Sequence, residues 1–506
     1  MNRIQGQPFR ELLRLLSGLS LRAYRRPWLM ATPVLARFLR PEFLRRHFSA
    51  APAPRQGPWT ILKRTLQYLR TNLNLAFSFL LQRRAFRKAA ASRPLPAGPV
   101  VMLDTVVYAQ TALAKGTLEL VEFPGLAEEA QASGVPVVLA PALYGPLDQG
   151  ETQRLSALLA KSSTPVATIF DVVSGVDLLR LFCFALFYPL VLLRFLAGLQ
   201  RNGPEALVRF ECINDLPCPV VPTYLRYLYG RGLARAFPRG LTVVSWWENR
   251  AGDKMFLRGL RSTGAPVTVI GAQLYVFPDN YLGAYLTEAE TTHRIAPDRL
   301  LVNGPYYLPA EGLIPASVGP SLRYAKIFRI PLEPASTGKG ILVLLGYNTE
   351  GMRQCLDVLA KVPWPEDEPL AVRLHPAHPA TDWKALLPAR AVLADGDLYE
   401  HLAQARLVIG SETGTMLEAV ACGLPVINLD ALGEMSLRDM PGLGRDVIWL
   451  PARTPEDVAR QIETAQRIPP ETRIEYARSY RREFFSEPVP GRLLESFGLN
   501  PQEKAP

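Results

Sequence analysis

The residues best suited to chemistry collect in one stretch, 405–430, which reads ARLVIGSETGTMLEAVACGLPVINLD. Its pattern predicts an apolar strand at 407–409, a small-residue turn at 410–415, a helix at 416–422 stopped by Gly423, and a second strand at 426–429. Ser411, Thr413 and Thr415 therefore stand where a helix begins. Backbone N–H groups are unpaired at such a point and the helix dipole is positive, so the turn can hold a phosphate. Thr415 and Glu418 also match a capping box, and the two uses are compatible because one donor can cap while others bind.

Three more strand-end loops offer polar groups: 346–348 with Gly346 and Asn348, 373–375 with Arg373 and His375, and 395–397. Arg373 is a fixed cation, and His375 can donate to a phosphate oxygen. The run HPAHP also reads as a proline-ended strand with surface histidines. Together with the hydroxyls of 411–415, the set suits a monophosphate or diphosphate leaving group, whose departing charge must be stabilised.

Positioning these loops requires alternating strands and helices. Strands are expected at 100–103, 135–139, 166–169, 241–245, 267–270 and 300–302, then at 341–345, 370–374 and 391–393. Helices are expected at 254–261, 352–361, 398–404, 455–467 and 470–485. The stretch 305–339 is rich in Pro, Gly and Ser and reads as connecting chain. The predicted fold class is α/β, with two Rossmann-like doubly wound parallel-sheet domains, 99–320 and 340–470, and a linker at 321–339. A basic helical extension (1–98) precedes them and a helical tail (471–506) follows. Ligands then belong at the carboxyl ends of the strands.

Composition narrows the function. The chain has 506 residues, 48% of them hydrophobic and 20% charged, which is that of a folded, multidomain protein. The net charge of +11 is uneven: residues 1–98 hold 19 Arg or Lys against Glu11 and Glu42, a net +17, which leaves −6 for the rest. Five scattered cysteines with no CxxC argue against a disulfide framework or zinc finger and fit a reducing compartment. Five histidines make a His-rich metal site unexpected.

The extension predicts basic amphipathic helices at 9–26 and 59–88, the kind that lie in the interface of an anionic membrane. A helical subdomain with a solvated basic face and an organellar targeting segment are the competing readings. No run of about 20 apolar residues supports a transmembrane span, and no signal-peptide cleavage pattern is present. No stacking-aromatic or groove-helix pattern accompanies the charge, so nucleic acid is not an expected partner. Segment 176–200 is apolar all round, but only thirteen residues separate Arg180 from Arg194 and Pro189 interrupts them. A buried helix pair, a re-entrant segment and a membrane-dipping surface all fit it.

Residues 370–376 (LAVRLHP) followed by 398–427 (LYEHLAQARLVIGSETGTMLEAVACGLPVI) resemble the C-terminal nucleotide-binding domain of GT-B glycosyltransferases. Closest is the bacterial surface-carbohydrate and capsular-polysaccharide group, with its R-x-HP strand end and S-x-T-G-T…EA…G-x-P cradle. Residues 243–273 (VVSWWENRAGDKMFLRGLRSTGAPVTVIGAQ) resemble that group's N-terminal domain, with a W/Y-E-x-R strand end and a G-x-Q. Where that group usually has His after the Gln, this chain has Leu274.

The resemblance implies sugar transfer from a nucleotide-activated donor in a cleft between the domains, with no cofactor and commonly no bound metal. His375, Ser411, Thr413 and Thr415 would contact the donor phosphate. Glu412 and Gly414 belong to the same cradle, with Gly346, Asn348 and Arg373 beside it, and Glu418 would sit near the nucleoside sugar. An inverting transfer needs a first-domain carboxylate to take the acceptor's proton. Glu248 is the first candidate because it ends a strand with Arg250 close by; Asp104 and Asp148 are reserves. A Glu248–Arg250 surface pair or a cap for the next helix also explains Glu248.

The expected partners are a nucleotide-sugar donor, a glycan or lipid-linked acceptor, and an anionic membrane surface met through 1–98 and 176–200. The expected location is cytoplasmic, on the inner face of the cell membrane. UDP-sugar 2-epimerases, CDP-alcohol phosphotransferases of the wall-teichoic type and a non-catalytic scaffold on the same fold are the alternatives.

Overall fold

The computed structural model describes residues 7–499 apart from 50, 90–94, 146, 311, 333–337, 339, 365–367, 376–377, 379–380, 382 and 431–439. Pro376 and Pro379 of the HPAHP run therefore lie outside the described residues.

The two expected doubly wound domains are present. The first sheet contains β1 (Val100–Tyr108), β2 (Val137–Tyr144), β3 (Leu241–Trp246), β4 (Val267–Gln273), β5 (Arg299–Val302) and β6 (Ala316–Val318). All pairings are parallel, in the order β2-β1-β3-β4-β5-β6. The second contains β7 (Gly340–Leu345), β8 (Leu370–Arg373), β9 (Ala391–Leu393), β10 (Ala405–Ser411), β11 (Val426–Leu429) and β12 (Trp449–Ala452). It too is all parallel, in the order β12-β11-β10-β7-β8-β9. That is the strand order of a dinucleotide-binding fold. Helices cover both faces of such sheets, which is why β7 and β10 read as unbroken apolar runs.

Two sequence expectations fail locally. Residues 166–169 do not form a strand: Val166 makes one bridge to Leu139, and the chain turns into the helix Ile169–Val172. Thr168 and Asp171 form a reciprocal cap there, and local side-chain bonds of this kind compete with a ladder. The connecting stretch 305–339 contains β6 and a run of helical turns, Leu322–Arg329, that enters the space between the domains.

The basic extension is built into the first domain. Its helices are Gln7–Ala23, Pro41–Phe48 and Pro58–Ala89. Leu12, Leu16 and Leu19 are fully buried in one core with Leu103 and Phe184. Arg37, in the left-handed region at φ 65°, meets Glu290 at 2.9 Å, and Lys254 meets the same carboxylate at 3.2 Å. All three side chains are excluded from solvent. Burial alone would raise the Glu290 pKa, but Arg37 and Lys254 bring it down to about 2. Arg22 pairs with Glu205 at 2.6 Å, and Arg40 with Asp215 and Glu211, so with Arg37 three of the extension's 19 basic residues face acids of its own domain.

Segment 176–200 is neither a helix pair nor a re-entrant loop. It is one helix, Gly175–Ala197, that carries Pro189 internally and starts on a Ser174–Asp177 capping box. At the other end of the chain, helix Pro470–Phe484 returns to the first domain. Asn303 Nδ2 donates to the Phe484 carbonyl at 2.9 Å, and Gly491 and Leu494 N–H groups donate to Glu129 at 3.0 Å each.

Candidate functional site between the two sheets

In the second sheet the strand order reverses between β7 and β10, with Leu345 opposite Ser411. Ligands of open α/β sheets bind in the crevice outside such a reversal. Gly346 follows β7, and a Cβ there would lie 2.3 Å from the Glu412 carbonyl oxygen, so the two strand-end loops touch backbone to backbone. Asn348 caps helix Thr349–Leu359 by accepting the Glu350 N–H at 3.1 Å.

The cradle divides into inward and outward groups. Ser411 is buried, and its hydroxyl hydrogen-bonds the Cys355 thiol behind the strand. Glu412 is left-handed at φ 48°, a strained position for a residue with a Cβ. Its carboxylate turns toward helix Thr349–Leu359, 2.6 Å from where a Gly351 Cβ would stand, and burial pushes its pKa up to about 7. Thr413 and Thr415 hydroxyls pair at 3.1 Å, both half-buried. The expected Thr415–Glu418 capping box does not form. Gly414 is the N-cap, and Glu418 instead accepts from the Tyr399 hydroxyl. Burial raises the Glu418 pKa to about 7, against the pull of that bond and of Arg323.

Arg373 and His375 end β8 as expected. The His375 ring stands 5.3 Å from that of Tyr347, and burial, then His378 and Arg323, lower its pKa below the usual histidine range. It is therefore a neutral imidazole at physiological pH, able to donate from one nitrogen. Asp397 accepts the Tyr399 N–H at 2.8 Å and pairs with Lys326 of the connecting stretch; it also feels the Arg373 charge.

In the first sheet the reversal lies between β1 and β3. Asp104 is not at a strand end, because β1 continues to Tyr108. It accepts from Arg226 Nη2 at 2.7 and 2.9 Å and from Ser245 Oγ at 2.6 Å, with 2% of its surface exposed. This corrects its candidacy as a base: the carboxylate is an internal anchor. Asp148 is a helix cap, bonded reciprocally with Glu151 at 2.7 and 2.9 Å.

Glu248 does follow β3 and keeps a quarter of its side chain exposed. It accepts from Trp246 Nε1 at 3.0 Å and pairs with Arg250 at 2.6 Å. Capping of helix Ala251–Leu260 falls to Asp253, which accepts the N–H groups of Glu248 and Arg250 at 3.1 and 3.0 Å. Burial and then Glu248 push the Asp253 pKa up to about 6. Asn249 beside them is left-handed at φ 57°, so each reversal carries one non-glycine residue in that strained region.

The two halves meet. A Cβ on Gly414 would lie 2.4 Å from Val276 Cγ2, which follows β4. Arg323 reaches into the same space with its guanidinium accessible; Tyr324 first, then Glu418, Glu122 and Glu248, raise its pKa despite the cost of burial. One arginine thus feels carboxylates of both domains. Sequence reasoning missed Arg323, Tyr399 and Asp253; only Tyr399 carried a signal, two residues after the helix-capping Asp397 and next to the cradle strand. Among the described residues no group of three or more His, Cys, Asp or Glu is arranged to hold a metal.

No family model matches the chain, and no curated protein matches it in sequence. Among solved structures, MurG of Acinetobacter baumannii is 14% identical, the match covering 75% of this chain and 95% of that one at a TM-score of 0.37. CalG4, the calicheamicin glycosyltransferase, is 14% identical over 81% and 100% at 0.41. A UDP-N-acetylglucosamine 2-epimerase assignment from Listeria monocytogenes is 13% identical over 78% and 94% at 0.42. At these identities and TM-scores the likeness assigns no activity.

Proposed function

We propose that this chain transfers a sugar from a nucleotide-activated donor to a surface-polysaccharide or lipid-linked glycan acceptor at the cytoplasmic face of the cell membrane. The observation that carries the reading is the meeting of two strand-order reversals across one cleft. Hydroxyl, imidazole and backbone donors line one side, an accessible carboxylate stands on the other, and Arg323 lies between.

In that reading the bond from the anomeric carbon to the phosphate oxygen breaks, and the oxygen's growing charge falls on Thr413, Thr415, neutral His375 and nearby N–H groups. Groups aimed at charge that develops during reaction lower its barrier most. Arg373 and Arg323 add fixed positive charge, so the scheme calls for no metal ion. Glu418 and Tyr399 would receive hydroxyls of the nucleoside. The acceptor oxygen forms the new bond to that anomeric carbon as Glu248 takes its proton, and Arg250 orients the Glu248 carboxylate.

A thermal-shift screen with UDP, GDP, ADP, CDP and CMP tests the donor half. Ligand at about 100 times its Kd stabilises the fold by about 2.7 kcal/mol, and the nucleotide that does so names the donor class. Silence from all five overturns the reading. Conversion of a UDP-sugar with no acceptor present would make the chain an epimerase, and a phosphate-containing polymer product would make it a phosphotransferase.

A further inference from the structure

Two helices lie side by side and turn a run of large apolar side chains outward. Pro58–Ala89 and Gly175–Ala197 run antiparallel, with Tyr68 stacked on Tyr188 at 5.5 Å and Phe77 against Phe182 at 5.0 Å. The inner face of Gly175–Ala197 is closed, since Leu181, Phe184, Tyr188 and Leu192 are all buried. Its outer face exposes Leu179, Leu186, Phe187 and Leu190 by 65, 45, 50 and 62%. Single exposed leucines are ordinary; four large apolar side chains on one face of one helix, with half-buried Phe182 between Leu179 and Leu186, mark an interaction surface.

The neighbouring helix extends the stripe and adds charge. Trp59, Leu66, Phe77 and Leu81 are exposed on it, interleaved with exposed Lys63, Arg70, Arg84 and Lys88. Its 32 residues include seven Lys or Arg and no acid. This is the pattern of an interfacial helix: apolar groups enter the headgroup boundary while basic stems reach the lipid phosphates.

We infer that the ridge made by Pro58–Ala89 and Gly175–Ala197 is a docking surface for an anionic phospholipid bilayer, and that it, not the first basic helix, seats the chain on the membrane. Gly175–Ala197 is the one helix among the described residues long and apolar enough to cross a bilayer, but its inner face belongs to the protein core, so it lies on the membrane. Helix Gln7–Ala23, in contrast, turns its leucines into that core. The ridge also adjoins the cleft. Gln82 Nε2 donates to the Leu147 carbonyl at 2.9 Å, and that loop follows Tyr144, which is half-exposed and feels Arg250 and Glu248. A lipid-linked acceptor would then approach Glu248 from the bilayer side. That last consequence rests on the proposed transfer reaction; the docking itself does not.

Co-sedimentation of the full chain with phosphatidylcholine vesicles, with and without phosphatidylglycerol, tests it in the absence of any donor. Binding is expected to favour the phosphatidylglycerol vesicles. The double variant L179E/L190E should lose about tenfold or more in partitioning, and R70Q/R84Q/K88Q should lose the preference for anionic lipid. V392E, at an exposed apolar site on β9 of the second sheet, should bind as the parent does. Circular dichroism melts matching the parent establish that each variant folds. Failure of the parent to bind, or undiminished binding by L179E/L190E, overturns the inference. So does a dimer that L179E/L190E dissociates while no vesicle binds, which would make a second copy the occupant. Vesicle binding with no nucleotide response removes the transferase reading and leaves the docking surface standing.

Discussion

The two strand-order reversals use their charged residues in opposite ways. At β1 and β3, Asp104 and Ser245 of the strands close on Arg226 of helix Val221–Ala236, and Arg226 also lies 4.1 Å over the Phe256 ring. At β7 and β10, Arg323 acts on the protonation of both buried Glu418 and half-buried His375, and Glu418 acts back on Arg323. A buried pair that satisfies itself fixes geometry, whereas charged and polar groups gathered around an accessible cleft leave room for a ligand. The first domain thus holds a self-paired buried cluster and the partly exposed Glu248, and in the proposed reading the second supplies the binding chemistry.

The contrast can be broken most forcefully at Asp104. Asp104→Ala leaves the Arg226 guanidinium without its partner between helix and sheet and should cost about 3–5 kcal/mol of stability in urea unfolding. If the variant kept its stability and lost nucleotide binding instead, the roles assigned to the two reversals would be exchanged.

A smaller effect is expected from pH. The Glu418 carboxyl titrates at about 7 in the folded chain against 4.5 ordinarily. The folded state therefore holds the proton more tightly, and stability should fall as pH rises from about 4.5 to about 7, by up to about 3 kcal/mol for this group. Glu412, also raised to about 7, adds a slope of the same sign. Denaturant midpoints across that range should flatten markedly in Glu418→Gln, and an unchanged slope would show that the carboxyl is not held protonated.

His375→Ala removes a donor without opening a core. We expect about 1.5–2 kcal/mol, roughly tenfold or somewhat more, from nucleotide affinity by calorimetry, with an unaltered melt of the free chain. Equal affinity in the variant would take the imidazole out of the phosphate site. The smallest change should come from Lys326→Ala. Its partner Asp397 and its own side chain are both partly exposed, 29 and 54%, so stability should move by no more than about 0.5 kcal/mol.

What the sequence made legible follows the range of the forces involved. The 405–430 unit emerged nearly to the residue, as Ala405–Ser411, Thr415–Ala421 and Val426–Leu429, because period and turn chemistry are local. Arg373 and His375 were readable for the same reason. Asp104 was misread because β1 carries it past the point where the apolar run breaks, and a buried acid in a strand is intelligible only once Arg226, far along the chain, is beside it. Arg323 was hidden in a stretch whose Pro, Gly and Ser content signals connection, and its importance comes entirely from what the fold brings around it. The extension's net charge suggested a membrane-facing arm throughout, yet Arg37 and Arg40 are matched by Glu290, Glu211 and Asp215 of the body.

The return of Pro470–Phe484 to the first domain means that the chain crosses between the halves twice, once through Leu322–Arg329 and once through the segment after Phe484. Two connections hold the halves at two points, which leaves less freedom to turn than a single linker would. The close approach of Gly414 to Val276 adds a third point at which the halves meet. Because Arg323 is carried on one of these connections, its guanidinium is tied to the seam between the halves and not to either sheet.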